Sequence, residues 1–264
     1  MTSSRLVLAV GVMGIMIAGC GGVKLLKEPQ PQQTTQPLST AADDKVTSTL
    51  DWVIVRNGPG AWAKNADWDE YLLRIHNSSA EPILITNITV LDSLEYPVLR
   101  RSNRRQLVKG SKENARRYRD SGLTVKAGAG AGELLVAGAA VTVVGVGVAA
   151  SAVSTTAYGA VWTGGVATGT ATAATGLLLL GPALAVGGIL RGVNNRRVDD
   201  EIQRRRTVLP LTVPPGQQQP LDVFVPIAPG PVQVDLFYVD DEGEHRLTFD
   251  TRAVLAGLHL ESKD

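Results

Sequence analysis

Short segments of alternating apolar and polar residues occupy two separate parts of the chain. Between residues 71 and 76, Tyr71, Leu73 and Ile75 fall on one face, which is typical of a half-buried strand. The same reasoning predicts strands over 50–56, 82–91, 96–99, 208–213, 221–225, 232–238 and 245–249, with Gly- and Pro-rich turns between them. The pattern therefore predicts two β regions, residues 46–99 and 207–252, separated by residues 100–206.

The two β regions together predict one domain. They hold 100 residues, which matches the size of an Ig-like β-sandwich, and neither has enough strands to close a core alone. The stretches HNSSAEPILITNITVLDS and VPPGQQQPLDVFVP resemble small Ig-like domains of bacterial envelope proteins, in which an Asn-containing turn and a Pro-Gly turn precede strands. We therefore expect a mainly β fold, an Ig-like β-sandwich split by a long insertion.

The N-terminus has the proportions of an export signal. Arg5 precedes a short apolar run that ends in Ile17-Ala18-Gly19-Cys20. This resembles the lipobox of bacterial lipoproteins, which implies that residues 1–19 are removed and that Cys20 is lipidated. The resemblance also implies a bacterial cell envelope location, facing the periplasm, with Gly21 favouring the outer over the inner membrane. The alternative is a short anchor helix with an incidental cysteine.

A polar linker follows the lipobox. Residues 28–44 are rich in Pro and Gln and contain almost no large apolar residues. We expect residues 20–45 to be a flexible tether that holds the folded part away from the lipid.

The insertion contains a 57-residue stretch without charge, from Leu134 to Leu190. Two segments in it, 134–153 and 169–190, have the length of spanning helices, and Tyr158 and Trp162 lie between them. Small residues recur four apart, and the stretch resembles the glycine-zipper hairpins of bacterial envelope proteins. We expect a transmembrane helical hairpin over 128–192, whose helices pack through Gly147, Ser151, Gly165, Gly169, Gly188 and Gly192. A hairpin packed against protein and a pair of spanning strands are the alternatives.

Cations flank the apolar hairpin on both sides. Residues 100–126 carry a net charge of +8 and residues 191–206 a net charge of +3, although the whole chain carries only +1. We expect a basic helical segment over 100–127, with its helix over 103–120, and a charged connector over 193–206. Lipid headgroups are the expected partners of Arg104, Arg105, Lys109, Lys112, Arg116, Arg117, Arg196 and Arg197. The alternative is a basic helix exposed to solvent without a ligand.

Candidates for chemistry are sparse. The chain has one Cys and three widely spaced His, which argues against a zinc site, and we predict no metal and no cofactor. Each of His76, His245 and His259 is expected to be a surface or structural residue. Residues 67–70 form an acidic group that is expected to be an exposed loop rather than a cation site. Residues 253–264 are expected to be a C-terminal tail. A sugar or peptide site is the alternative to core packing for Trp52, Trp62 and Trp68.

These patterns favour a non-enzymatic envelope lipoprotein that acts as a scaffold or assembly component. The expected partners are membrane lipid and an unknown envelope protein, in a homo- or hetero-oligomer. Nucleic acid is not expected, because the net charge is only +1 and the chain is predicted to be exported. The alternative function is an oligomeric pore or translocation channel formed by the glycine-rich hairpins.

Overall fold

The structure, a computed structural model, describes residues 22–28, 36–132 and 184–261, with the backbone alone for residues 184–192. The signal motif around Cys20 and the insertion from residue 133 to residue 183 lie outside the described residues. The strands are β1 Lys24–Leu25, β2 Ser39–Ala42, β3 Val46–Ile54, β4 Ala63–Lys64, β5 Trp68–Asn77, β6 Ile83–Leu91, β7 Pro97–Leu99, β8 Leu211–Val213, β9 Gln218–Pro226, β10 Gln233–Val239 and β11 Glu244–Asp250. The helices are α1 Arg104–Asp120, α2 Leu184–Arg205 and α3 Arg252–Leu255.

Two antiparallel sheets form the body of the domain, so the prediction of a mainly β fold is confirmed. The first sheet has the order β2-β3-β5-β9. In the second, β11 pairs with β10 and β10 with β6, while β7 and β8 each pair with β6. Strand β9 pairs with β5, and strands β8 and β10 pair with β6. Each sheet therefore combines strands from before and after the insertion.

One hydrophobic core joins the two sheets. Leu50, Leu73 and Leu221 of the first sheet and Ile88 and Leu236 of the second are fully buried in the same cluster. Burial on this scale is the dominant favourable term in folding, at about 25 cal/mol per Å² of apolar surface. Because the cluster draws on strands from both sides of the insertion, the core requires both β regions.

Helix α1 confirms the predicted basic helix. Its N-terminus is capped by Asn103, whose side chain accepts a hydrogen bond from the backbone N–H of Gln106 at 3.0 Å. The buried face consists of Leu107, Ser111, Asn114 and Tyr118, at the spacing expected for one side of a helix. The helix ends at Ser121-Gly122, where Gly122 has the positive φ that commonly terminates helices.

Several boundaries differ from the sequence-based expectation. Residues 20–45 are not a tether throughout, because β1 and β2 form there and Val23, Leu38 and Ala41 are buried. The expected charged connector 193–206 is instead the C-terminal half of α2, with Val198 and Ile202 fully buried. The sequence pattern does not predict that these segments are packed, because each is mainly polar and contacts the core through only a few apolar side chains.

The expected tail and the start of the expected hairpin also belong to the folded domain. In residues 253–264, Leu255, Leu258 and His259 are buried. Residues 128–130 form a turn that packs against the domain, and helical backbone begins only at residue 131, where Ala131 is buried. Among the helices of the described ranges, none is both long enough and apolar enough to cross a membrane.

Candidate functional site

Both sides of the insertion connect to the same end of the domain. We call this the insert end and define it by the β3–β4 loop, the β4–β5 loop and residues 227–229. Helix α1 lies across it: Ser111 Oγ donates to the Asp67 carbonyl at 2.5 Å and accepts from the Ile227 N–H at 2.9 Å. The Tyr118 hydroxyl donates to the Pro229 carbonyl at 3.1 Å. Residues 128–131 reach the β3–β4 loop, where Ala131 lies beside Gly58.

The N-terminal segment joins the same end. Strand β1 pairs with β4, the Leu26 N–H donates to the Trp62 carbonyl at 2.8 Å, and β1 also contacts α2. Val23, three residues after Cys20, is buried. Three chain paths therefore meet here: the segment from Cys20, the segment that enters the insertion, and the helix that follows it.

A buried histidine fixes the segment that leads into the insertion. His259 is fully buried, its Nε2 lies 2.9 Å from Asp69 Oδ2, and its Nδ1 accepts the Gly128 N–H at 3.0 Å. Because Nδ1 accepts a hydrogen bond, the proton of the neutral ring resides on Nε2 and is donated to Asp69. His259 is thus structural, as expected, but it is a core residue rather than a surface one.

Backbone contacts reinforce this connection between the C-terminal segment and residues 124–131. The Lys126 N–H donates to the His259 carbonyl and the His259 N–H to the Ala129 carbonyl, at 2.9 and 2.8 Å. Gly128 and Gly130 have φ values of +80° and +71°, and a Cβ on either would lie within 2.5 Å of a carbonyl oxygen. These two glycines are therefore required by the turn and by the close approach of the backbone.

The C-terminal half of α2 is held by a buried polar group. Arg205 lies 3.1 Å from Glu70 Oε1 and stacks over the Trp62 ring at 5.1 Å, and Trp62 also donates to Glu70. Asp222, on the neighbouring strand, is almost fully buried. Its burial raises the pKa of the carboxyl well above its usual range, and the nearby Glu70 raises it further. This group fixes the return path of the chain to the sheet.

Two of the eight cations predicted to contact headgroups are only partly exposed and pair with carboxylates outside α1. Arg104 Nε lies 3.7 Å from Asp199 Oδ2. Arg117 lies 3.4 Å from the buried Asp92 and covers the Tyr96 ring at 4.3 Å. For these two residues the structure gives a protein partner in place of a headgroup, because they lie near the packed side of α1, beside the half-buried Asp199 and the buried Asp92.

The other cations of α1 are exposed to solvent and fall on one line along the helix. We call this line the α1 stripe. Its members recur at intervals of four, three, four and three residues, so they share one face. They are Arg105, Lys109, Lys112, Arg116 and Arg119. Arg119 was missed at the sequence level, although its spacing from Arg116 was sufficient to find it.

The remaining predicted site residues are on α2 or outside the described residues. Arg196 and Arg197 are exposed on α2, as a headgroup contact requires. Gly188 and Gly192 lie in the part of α2 for which only the backbone is described. The expected helix-packing residues Gly147, Ser151, Gly165 and Gly169, and Cys20 with its motif Ile17, Ala18 and Gly19, lie outside the described residues.

The opposite end of the domain is acidic. Asp43, Asp44, Glu81, Asp241 and Glu244 lie in or beside its turns, together with a cluster in which Lys45 Nζ approaches Asp240 Oδ2 at 2.8 Å and Glu242 Oε2 at 3.0 Å. The Lys45 ammonium holds the pKa of Asp240 well below its usual range. Asp240, Glu242 and His245 have the donor atoms of a metal site, but the Lys45 cation already occupies the position between the carboxylates.

Other sequence candidates are packed in the core. Trp52, Trp62 and Trp68 are at least 96% buried, so core packing rather than a sugar site accounts for them. Residues 67–70 are not an exposed loop, because Asp69 and Glu70 are buried in β5. The expectation failed because each carboxylate has a partner that is distant in sequence, the buried His259 for Asp69 and the half-buried Arg205 for Glu70.

Comparison of the chain with protein-family models, with curated proteins and with solved structures gave no match. The geometry of the two ends therefore carries the functional argument. One end gathers the chain paths from Cys20 and from the insertion beside the exposed cations, and the other end is acidic.

Proposed function

We propose that the protein is a non-enzymatic lipoprotein of the bacterial cell envelope, attached to a membrane both by lipids on Cys20 and by the insertion. The sandwich, which we propose to be Ig-like, acts as a scaffold that presents its acidic end to a partner protein. Two antiparallel sheets on one core support an Ig-like architecture.

The observation that carries this proposal is that the chain segments leading to Cys20 and to the insertion converge on one end of the domain. Val23 is buried three residues after Cys20, and an extended chain spans at most about 3.6 Å per residue. A lipidated Cys20 would therefore hold the insert end within about 11 Å of the lipid anchor. The insertion begins and returns at this same end, so both attachments could enter one membrane without distorting the domain.

The charge distribution supports the same orientation. Cations near an anionic leaflet contribute roughly 1 kcal/mol each, and the α1 stripe lies on the helix that crosses the insert end. Lys24 and Lys64 face each other across β1 and β4 at this end, an arrangement of like charges that is unfavourable without a counter-charge. The acidic end points away from the proposed membrane and is available to a partner.

The decisive experiment separates the two attachments. The Cys20→Ser chain, exported with a conventional cleavable signal, should remain in the membrane fraction after washing with high salt or carbonate. Salt screens exposed charges beyond about 10 Å at 0.1 M, so electrostatic attachment alone would not survive the wash. Adding Val146→Arg and Leu179→Arg should release the chain, because each Arg in the bilayer centre costs about 2.5–3.5 kcal/mol on insertion scales.

Two controls make the result interpretable. The control substitution Arg246→Gln, at an exposed position of β11, should leave the Cys20→Ser chain in the membrane fraction. Metabolic labelling with a palmitate analogue should mark the wild type and not Cys20→Ala. Equal labelling of both chains would contradict lipidation at Cys20, and a soluble Cys20→Ser chain would contradict attachment by the insertion.

A further inference from the structure

We infer that the α1 stripe is a binding surface for the anionic phosphate headgroups of the leaflet that holds the anchors. This inference rests on the proposed membrane attachment and adds the orientation of the domain: α1 lies along the lipid surface. From Arg105 to Arg119 the stripe spans about 21 Å at 1.5 Å per residue, which is enough to contact several headgroups.

Helix α1 divides its cations between two kinds of partner. Arg104 and Arg117, towards the packed side, pair with Asp199 and Asp92. Within the described residues the exposed stripe forms one ion pair, between Lys109 Nζ and Glu113 Oε1 at 3.8 Å. That pair is well exposed, and such pairs contribute little to stability. The inner cations are thus matched within the protein, whereas the stripe retains a net positive charge.

The spacing of the stripe is unfavourable for an isolated helix. Neighbours such as Arg105 and Lys109, or Lys112 and Arg116, are like charges four residues apart, and such pairs destabilise a helix. An anionic surface removes this repulsion and is attracted by every member of the stripe at once. The five cations of the stripe therefore match a flat, multivalent anion better than a single small ligand.

The surface relief of α1 also suits headgroups. A shallow groove of about 480 Å³ on the helix is lined by Arg105, Lys109, Lys112 and Arg116, together with Val108 and one acid, Glu113. Aliphatic groups between cations can contact glycerol carbons while the ammonium and guanidinium groups reach phosphate oxygens. The acidic residues at the opposite end oppose any orientation in which that end faces the same leaflet.

The test uses the full lipidated chain in vesicles. Cys20 is the only native cysteine, so once it is acylated an introduced cysteine can be labelled alone. A fluorophore is placed at Gln106→Cys, exposed beside the stripe, or at Ser78→Cys, exposed at the acidic end. Vesicles contain phosphatidylcholine with or without one-third phosphatidylglycerol, plus a trace of lipid whose headgroup carries a nitroxide quencher.

The label at 106 should be quenched in vesicles with phosphatidylglycerol at low salt, and the label at 78 should not. Lys112→Gln with Arg116→Gln should lower the docking equilibrium constant about 25-fold, or about fivefold per charge. The matched control, Arg246→Gln with Arg252→Gln, removes two exposed charges from β11 and α3. It should change the docking equilibrium constant by less than about twofold. Far-UV circular dichroism verifies that both variants retain the fold.

Failure of the inference and failure of the proposed function give different results. If the chain floats with the vesicles but the label at 106 stays unquenched, or is quenched equally in neutral vesicles, the headgroup surface is overturned and the attachment stands. Equal effects of the two double variants would also overturn it. If the lipidated chain does not float with the vesicles at all, the proposed function itself fails.

Discussion

Replacing Gly128 by Ala tests whether residues 128–132 belong to the folded domain or to a small-residue row in lipid. In the structure Gly128 has a φ of +80°, and a Cβ there would lie 2.3 Å from the Arg56 carbonyl oxygen. A left-handed conformation costs a residue other than Gly about 1–2 kcal/mol. Overpacking of a tight contact adds about 1–3 kcal/mol, so Gly128→Ala should lower the free energy of unfolding by about 2–5 kcal/mol.

Substitutions at two neighbouring glycines separate the cost of the positive φ from the cost of overpacking. Gly122 also has a positive φ, at +78°, but a Cβ there meets no described atom within 4 Å, so Gly122→Ala should cost about 1–2 kcal/mol. Gly132 has neither feature in the described part of the chain, and Gly132→Ala should change stability by less than about 0.5 kcal/mol. The order of destabilisation should therefore be 128, then 122, then 132.

The assay is urea unfolding of the full chain in detergent, followed by the fluorescence of the buried tryptophans. A packing row in lipid, with Gly128 and Gly132 as equivalent members, would make both substitutions equally costly in that assay and in helix association. If Gly132→Ala destabilises as much as Gly128→Ala, the assignment of Gly128 to the folded domain is refuted.

Tyr118→Phe should cost about 1–3 kcal/mol, because the hydroxyl donates to the Pro229 carbonyl and accepts from the Leu94 N–H, and the loss is measurable by urea unfolding. Burial raises the pKa of Tyr118 to about 12. The contribution of Tyr118 to the free energy of unfolding is therefore complete below about pH 10 and is lost as the pH rises towards 12. Absorbance at 295 nm, which follows ionisation of the phenol, checks this. Because Lys45 depresses the pKa of Asp240, the stability that this pair contributes is present above about pH 4 and is lost as the pH falls. Lys45→Met should therefore flatten the pH dependence of the urea midpoint below about pH 4. Replacing residues 133–183 by a flexible linker should preserve β-type circular dichroism and cooperative unfolding, since the cost of loop closure grows slowly with length. A deletion extended to 128–192 should be less stable, because it removes Gly128 and its hydrogen bond to His259.

Local patterning was sufficient to locate most of the sheet. Strands β3, β5, β6 and β9 to β11 lie where alternation and turn residues predict them, and α1 begins after the predicted Asn103. These elements are identifiable because their side chains repeat at the period of the structure they form. The mainly β prediction succeeded for this reason.

Other features depend on partners far away in the chain. Strand β2 has the sequence STAA, which is not strand-like, and it forms because its backbone pairs with β3. The Gly128–His259 contact joins residues separated by 131 positions, and the Arg205–Glu70 contact joins residues separated by 135. No local pattern encodes such a contact, so the role of these residues could be found only in three dimensions.

The interleaving of strands across the insertion determines when the domain can fold. Strand β6 acquires its neighbour β8 only after residue 213 has emerged and β10 only after residue 239, and β5 acquires β9 only after residue 226. Until then both strands expose unpaired backbone edges, which are prone to aggregation, and pairings this distant in sequence form slowly. A nascent chain therefore carries its long apolar insertion before either sheet is complete. These edges are covered in order, that of β5 when β9 arrives and that of β6 when the last hairpin, β10–β11, arrives.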